Sequence, residues 1–385
     1  MLPDDSEPVR TIRGGSVPRP ARHRVCRDEG PREETEERET EDMHRLTRRH
    51  FGAAAAAALA AGPVGATAAR ANRRPPSYLH AYAERYAADP RGAARQWFTD
   101  ARFGLFVHWS LRAYPPDQRR IEHFRGDGFD AAALADLAVA AEMRYVNFTV
   151  YHGGGPSMWK TARSPANTHE LIGRDLLGEL AEACAARRLG LFCYIHVSLI
   201  RSHDGRWERN RTAYRELLAN YGPLAGMWFD SVLDYYRHPH YHPHLAEQYA
   251  LIRRLQPQAL LSFKQGALGC EDFLAPEHYP RPPETNRGLP PEVRARLRGA
   301  PTEICTTLQV DPQTGSGAQQ WMDRPDARHR DADEVAALLA EARQYPANLL
   351  LNTGLRADGS IHPTDAATLR EVGRRIRESG WPGER

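Results

Sequence analysis

From residue 99 onward the sequence alternates between short apolar runs and longer segments of helical period, and this alternation limits the possible folds. The apolar runs, rich in β-branched and aromatic residues, cover 102–109, 144–152, 189–198, 224–232, 259–264, 302–308 and 348–354. Amphipathic segments such as FDAAALADLAVAAEM and GRDLLGELAEACAARR lie between most of these runs. Continuous apolar strands separated by helices predict a parallel sheet that helices cover on both faces.

Two α/β architectures fit this description, a doubly wound sheet and a closed (β/α)8 barrel. A dinucleotide-binding doubly wound sheet needs a glycine-rich phosphate loop after its first strand, and no such loop follows residues 102–109. The sequence therefore predicts a (β/α)8 TIM-type barrel with seven clear strands and one strand that is not evident. In such barrels the active site lies at the carboxyl ends of the strands.

The first 71 residues differ from the rest of the chain. Residues 1–42 mix both charges and show no apolar periodicity, which predicts a disordered extension that need not be translated, because Met43 offers a second start. A basic stretch with Arg48 and Arg49, an Ala-rich run and Ala-x-Ala sites ending by Ala71 are typical of a signal peptide. The arginine pair is similar to a twin-arginine signal. The alternative, an Ala-rich helix of the mature domain, leaves the adjacent arginines and the Ala-x-Ala sites unexplained.

We therefore expect a protein that is secreted or extracytoplasmic, with residues 72–385 as its catalytic part. The apolar run of the signal is too short to span a membrane, so no membrane insertion is expected once it is removed. The net charge is only +3, and 52 basic residues are scattered among 49 acidic ones. Without a basic stripe, the sequence does not indicate a nucleic-acid partner.

The five cysteines show no C-x-x-C spacing, and we expect no cofactor and no metal. A weaker alternative is a metal-dependent hydrolase, because histidines at every second position of an extended segment would face one side. These histidines are His238, His240, His242 and His244.

Polar and aromatic side chains occur where the predicted strands end. They are His108, Trp109, Tyr151, His152, His196, Trp228, Asp230 and Lys264, with Glu303 near the start of the sixth run. Carboxylates, histidines and aromatic rings at one mouth suit carbohydrate chemistry, because aromatic faces stack on sugar C–H surfaces while polar groups bind hydroxyls. Considered alone, Asp230 is equally compatible with a turn residue.

Six motifs in sequence order, from about residue 95 to 380, resemble those of the α-L-fucosidases of glycoside hydrolase family 29. They are WFTDARFGLFVHWS, RYVNFTVYHGG, GRDLLGELAEACAARRLGLFCY, RELLANYGPLAGMWFDS, TEICTT and NLLLNTGLRADGSI. The resemblance implies that Asp230 is the nucleophile of a retaining glycosidase, with a general acid/base carboxyl group about 5 to 5.5 Å away. Glu303 in TEICTT is the first candidate for that group, and Glu277 in APEHY is the second.

The resemblance also implies a set of substrate-binding residues. His108 and His152 match histidines that contact sugar hydroxyls, Trp109 lies beside the pocket, and Lys264 takes the place of an arginine. Tyr151 and Trp228 complete the expected set. The expected partner is a fucosylated glycan or another glycoside.

This chain also departs from the family pattern. Gly153 stands in place of a histidine, Ser231 in place of a glycine, and Thr302 in place of a tryptophan. Because these positions bear on ligand recognition, two alternatives stay open: a glycosidase for another sugar, and a repurposed or glycan-binding barrel. The chain ends soon after the last predicted helix, so a C-terminal β-sandwich is not expected, and the oligomeric state is left open.

Overall fold

The computed structural model describes residues 74–384 except 154, 197–205, 238–241, 281–288 and 319. The predicted extension 1–42 and the predicted signal 43–71 lie outside the described residues, so their assignments stay predictions. Among the helices that are described, none has the length and apolarity needed to cross a membrane.

Seven parallel strands form the central sheet. They are β1 (Phe103–His108), β2 (Tyr145–Tyr151), β3 (Gly190–His196), β4 (Gly226–Asp230), β5 (Leu260–Phe263), β6 (Thr302–Thr307) and β9 (Ala347–Gly354). A separate antiparallel pair consists of β7 (Gln309–Val310) and β8 (Arg328–His329). The order across the large sheet is β5-β4-β3-β2-β1-β9-β6. Each of the seven apolar runs coincides with one of these strands to within two residues at either end, which confirms the predicted parallel α/β sheet.

Helices occupy the segments between the strands. The α-helices are Ala83–Ala88, Pro90–Ala101, Ala131–Ala140, Thr168–Ile172, Leu176–Ala186, Arg206–Asn220, Val232–Arg237, His242–Leu255, Pro291–Leu297, Ala332–Gln344 and Pro363–Ser379, and a 3-10 helix spans Ser77–Tyr82. Aspartates set several of their starts: Asp130 and Asp175 each accept a hydrogen bond from a first-turn backbone N–H. Asp331 forms a capping box with Glu334.

Residues 272–278 lie between the two edge strands of the sheet. The backbone N–H groups of Asp272 and Ala275 donate to carbonyls of Leu261 in β5 and Lys264 just after it. On the other side, the Leu274 and Pro276 carbonyls accept hydrogen bonds from N–H groups of β6. The contacts are isolated bridges and not a regular strand. The eighth strand that the sequence did not reveal is therefore not a regular strand here, and the closed eight-stranded barrel stays a prediction.

An aromatic cluster packs against the inner side of the sheet at the amino ends of its strands. Trp97 and Phe98 of helix Pro90–Ala101 meet Tyr145, Phe192 and Phe273 there. The same cluster includes Phe106 and Trp228, and these two rings also line the pocket described next. The cluster therefore supports the base of the pocket with close-packed rings.

Candidate active site

A pocket of about 1110 Å³ opens where the strands end. β1, β3 and β4 contribute their last residues, His108, His196 and Asp230, and Lys264 follows directly after β5. Other lining residues include Phe106, Arg112, His152, Tyr194, Trp228, Ser231, Glu277, Trp321 and Arg324. Parallel strands thus bring together residues up to 156 positions apart in the sequence, from His108 to Lys264.

Asp230 is held by three groups. Tyr194 Oη donates to Oδ2 at 2.5 Å, the Ser231 backbone N–H donates to Oδ1 at 2.6 Å, and Lys264 Nζ lies 3.2 Å from Oδ1. Burial raises the pKa of Asp230, but the Lys264 charge and the hydrogen bonds from Tyr194 and Ser231 outweigh burial and leave the pKa well below its usual range. The carboxylate is therefore ionised and fixed in orientation, as a nucleophile requires.

Lys264 connects two carboxylates. Its Nζ contacts Asp230 Oδ1 and also Glu277 Oε1. One nitrogen in contact with both oxygens keeps them within two hydrogen-bond lengths, about 6 Å at most. Burial lowers the pKa of Lys264, but the nearby negative charges, Asp230 first, reverse this and raise it above its ordinary value. The lysine is therefore charged and balances part of the negative charge of the pair.

The side chain of Lys264 lies among aromatic rings. Its Nζ is 4.7 Å from the centre of the Trp228 ring and 5.9 Å from that of Trp321. Both distances are within cation–π range. These rings shield the ammonium group from water, which strengthens its interaction with the carboxylates.

Glu303 lies outside the pocket that contains Asp230 and Glu277. It is the second residue of β6, at the amino end of the strand, only 1% of it is exposed, and it is not among the residues that line the pocket. Tyr145 Oη donates to its Oε2 at 2.5 Å and Trp228 Nε1 donates to its Oε1 at 3.0 Å. Burial raises the pKa of Glu303 to about 7, although Tyr145, Trp228 and the Lys264 charge act in the opposite direction. The structure thus places Glu277, and not Glu303, in the pocket with Asp230.

Two histidines of the pocket are neutral at physiological pH. Burial lowers the pKa of His108 to about 3 and that of His152 to about 4. His108 Nδ1 lies 2.8 Å from the Asn352 Oδ1 atom, whose amide nitrogen donates to Thr307 and Trp321. Since Oδ1 must accept, His108 carries its proton on Nδ1 and presents Nε2 as an acceptor. A neutral acceptor of this kind suits a hydroxyl ligand.

Comparison with known proteins identifies the chain. The family model described as Alpha-L-fucosidase matches residues 116–380, more than half of the sequence. The chain belongs to the α-L-fucosidase family. Members of this family are glycoside hydrolases, and the two carboxylates of the pocket, Asp230 and Glu277, lie within the matched region.

Named relatives of this α-L-fucosidase family member are distant. A tissue α-L-fucosidase from Bos taurus is 22% identical over 74% of this chain and 67% of its own length. The α-L-fucosidase of Branchiostoma floridae is 21% identical over 74% and 71%. Among solved structures, α-L-fucosidase isoenzyme 1 from Paenibacillus thiaminolyticus is 25% identical over 76% and 77%, with a TM-score of 0.59.

A family 29 α-L-fucosidase from Bacteroides thetaiotaomicron has a TM-score of 0.61 at 20% identity, over 76% of this chain and 75% of that one. At that identity the likeness bears on the fold alone.

Two expected sugar contacts do not lie in the pocket of this α-L-fucosidase family member. Trp109 follows His108, and because successive side chains of a strand point to opposite faces, its ring enters the core, where it stacks on Phe129 at 5.7 Å. Tyr151 follows a shift in register between β2 and β3, and its ring is covered by Arg163 at 4.9 Å. Neither residue is among those lining the pocket.

Sequence reasoning did not select two residues that the structure brings to the pocket. Tyr194 donates a hydrogen bond to Asp230, and Trp321 packs 5.2 Å from the His108 ring. His196, which the sequence places at a strand end without a role, contacts Ser231. The spacing of Tyr194 and His196 was a usable signal, since alternate residues of one strand share a face. Trp321 lies in an irregular segment after β7, where no periodic pattern marks it.

The metal alternative falls partly outside the described residues of this α-L-fucosidase family member, since His238 and His240 are not described. His242 and His244 begin the helix His242–Leu255, so the extended segment that would align all four is not continued through them. Among the described residues, His329, His362 and Asp365 form a group with metal-ligand atoms within 4.8 Å of one another. That group is separate from the pocket lining.

Proposed function

We propose that this protein is a retaining α-L-fucosidase in which Asp230 is the nucleophile and Glu277 the general acid/base. The observation that carries the proposal is the contact of one Lys264 nitrogen with oxygens of both carboxylates. It holds the oxygens within about 6 Å, compatible with the 5 to 5.5 Å typical of retaining enzymes and short for inverting ones, which need room for a water molecule.

In the first step Glu277 gives a proton to the glycosidic oxygen while an oxygen of Asp230 forms a bond to the anomeric carbon. The bond between that carbon and the leaving oxygen breaks, the protonated aglycone departs, and a fucosyl ester of Asp230 remains. In the second step Glu277 takes a proton from water, the water oxygen bonds the anomeric carbon, and Asp230 leaves as a carboxylate. A member of the same family, the Bacteroides thetaiotaomicron α-L-fucosidase, has been solved as a trapped covalent intermediate, which supports a covalent step in this family.

Exposure favours Glu277 over Glu303 as the proton carrier. The Glu277 side chain is 41% exposed, so a leaving group or a water molecule can reach it. Glu303 is enclosed between Tyr145 and Trp228, and a proton shuttle there would need both hydrogen bonds to break. We therefore assign Glu303 a structural role beneath Trp228.

Hydrolysis of 4-nitrophenyl glycosides by residues 72–385 tests the assignment, with α-L-fucoside compared against α-L- and β-D-galactoside. Asp230→Ala should lose essentially all turnover while circular dichroism stays unchanged. Glu277→Gln should lose turnover most on substrates with poor leaving groups, because these depend on acid assistance. Azide should restore part of the turnover on the activated fucoside, since it attacks the glycosyl-enzyme without a base.

Glu303→Gln is the matched control and should keep most of the activity. If Glu303→Gln is instead inactive and rescued by azide while Glu277→Gln turns over normally, the assignment of the acid/base is refuted.

The second candidate function is a glycosidase or glycan-binding barrel for another sugar. The observation that favours it is the change of residues relative to the family pattern, at Ser231 and Lys264 in the pocket and at Gly153 beside it. The α-L-fucosidase AlfC has been solved in complex with Fucα(1,6)GlcNAc, and this disaccharide belongs in the same panel. Turnover of a galactoside, or sugar binding without turnover, would support the second candidate.

We further propose that residues 272–278 complete an eight-stranded barrel, because their backbone bonds both edge strands. We also propose that residues 43–71 export the protein. The support for export is the sequence pattern alone, with its arginine pair, Ala-rich run and Ala-x-Ala sites.

A further inference from the structure

The ring of His196 contacts two of the positions where this chain departs from its family near Asp230, Gly153 and Ser231. A Cβ atom placed on Gly153 would lie 3.4 Å from both Cε1 and Nδ1 of His196. The Nε2 atom of the same ring is 2.9 Å from Ser231 Oγ. His196 therefore contacts the place of a lost histidine and the serine that replaces a glycine.

Any side chain at position 153 would start in contact with the His196 ring. A β-carbon there already touches the ring at van der Waals distance, so alanine is tolerated but a larger side chain extending toward His196 overlaps its ring. A histidine ring at 153 that turned toward His196 would compete with the observed ring for the same volume. His196, at the end of β3, thus presents an imidazole next to the position where the resemblance implies one after β2.

Ser231 supports this arrangement at a conformational cost. Its φ of 65° is in the left-handed region, where a non-glycine residue is disfavoured by roughly 1 kcal/mol or more. Glycine would relieve that cost but would remove the Oγ atom that bonds His196. The backbone N–H of Ser231 donates to Asp230 Oδ1, so one residue orients both His196 and the carboxylate.

His196 is also part of the pocket in which the sugar would bind. It lines the pocket, and its ring centre lies 5.7 Å from that of His152, which stacks on Tyr194 at 5.9 Å. In the sheet, His196 is the register partner of Asp230. A ring at this position is therefore next to Asp230 across the two neighbouring strands.

We propose that His196, oriented by Ser231, is a substrate-contacting residue that supplies the imidazole missing at Gly153 and so determines the sugar that this pocket accepts. The proposal deepens the proposed function and rests on it for the identity of the sugar. It predicts that positions 153, 196 and 231 act as one unit and not as three independent departures.

The test measures monosaccharide binding by titration calorimetry together with kcat and KM on the 4-nitrophenyl fucoside. His196→Ala should weaken L-fucose binding at least tenfold and raise KM more than it lowers kcat. Ser231→Gly should weaken binding several-fold without lowering Tm, because it relieves backbone strain while releasing the ring. His80→Ala, which removes an exposed histidine outside the pocket, is the control and should change neither value.

A rescue experiment separates a binding role from a structural one. Gly153→His alone should weaken binding at least tenfold, since two rings compete for one volume. Gly153→His combined with His196→Ser should return binding to within about threefold of wild type, which independent defects cannot do. Wild-type binding by His196→Ala, or a double variant as weak as the product of the singles, overturns the proposal.

The panel also separates this proposal from the proposed function. If wild type binds L-galactose or another monosaccharide and not L-fucose, the fucosidase assignment fails, and the same variants are then tested with the sugar that binds. Loss of that binding in His196→Ala would still support the role of His196. A folded wild type that binds none of the sugars overturns both.

Discussion

At the scale of single residues, Lys264 determines the charge state of the site. Its ammonium group lies 3.2 Å from Asp230 Oδ1 and is largely buried. Because an adjacent cation favours the ionised carboxylate, removal of that cation in Lys264→Met should raise the pKa of Asp230 by about 1 to 3 pH units. The acid limb of the pH profile of kcat/KM should move to higher pH by a similar amount, and kcat should fall at least tenfold.

Lys264→Arg is the matched control for that profile. It keeps the charge, so its acid limb should stay near that of wild type even if its KM changes with the different shape of the guanidinium group. An acid limb that is the same for Lys264→Met and wild type would show that Lys264 does not control the ionisation of Asp230.

Glu303 offers a separate test through stability. Its pKa is about 7 in the folded protein against 4.5 ordinarily, so the folded state holds its proton more tightly than the unfolded state. The stabilisation by the protonated form is complete below pH 4.5 and is lost as the pH rises through 7. The free energy of unfolding of wild type should therefore fall relative to Glu303→Gln by about 3 kcal/mol between pH 4 and pH 8.

Denaturant unfolding of both proteins at several pH values measures that difference. Glu84→Gln replaces an exposed carboxylate and should show no such trend relative to wild type. A difference between wild type and Glu303→Gln that is constant across the pH range would contradict the buried, protonated state of Glu303.

At the scale of elements, helix Pro90–Ala101 anchors the aromatic cluster under the pocket. Phe98 is 1% exposed, and its ring lies 4.2 Å from that of Phe273 and 5.7 Å from that of Tyr145. Phe98→Ala should lower the free energy of unfolding by about 3 to 5 kcal/mol, because it removes a large ring and leaves a cavity. Thermal and denaturant unfolding would measure the loss.

Val139→Ala, on an exposed face of helix Ala131–Ala140, is the comparison for that experiment. This substitution should lower the free energy of unfolding by well under 1 kcal/mol, since little apolar surface is buried there. Equal losses in the two variants would mean that helix Pro90–Ala101 contributes no more to stability than a surface residue.

Strands and helices could be predicted from the sequence where burial of their side chains gives the apolar residues a regular spacing. All seven parallel strands coincide with predicted apolar runs, and the helices Ala332–Gln344 and Pro363–Ser379 coincide with predicted amphipathic segments. Residues 272–278 could not be predicted, because Asp272, Pro276 and Glu277 interrupt any apolar alternation while backbone hydrogen bonds connect the segment to both edge strands. Sequence patterns report side-chain burial and are silent on such backbone bonds.

At the scale of the whole molecule, the site depends on which end of each strand a residue occupies. Asp230, His108 and Lys264 come at carboxyl ends, so the barrel rule places them together from the sequence. Glu303 comes from a well-matched motif, but it is the second residue of its strand and lies on the side of the aromatic cluster. Glu277 reaches the pocket through a segment without a strand pattern, and so only the structure brings it to Lys264.

Export concerns the whole chain, and the prediction that this protein is exported depends on Arg48 and Arg49. Export of folded proteins requires both arginines of a twin-arginine signal. Full-length protein with Arg48→Lys and Arg49→Lys together should therefore stay inside a bacterial host, whereas wild type should appear outside the cytoplasm with a new amino terminus after Ala68 or Ala71. Cell fractionation and intact mass measure both results.

An Ala-rich helix of the mature domain, the competing interpretation of residues 51–63, predicts that neither substitution changes location and that the mature protein retains this segment. Replacing Arg70, a basic residue outside the pair, with Lys is the control and should leave export unchanged.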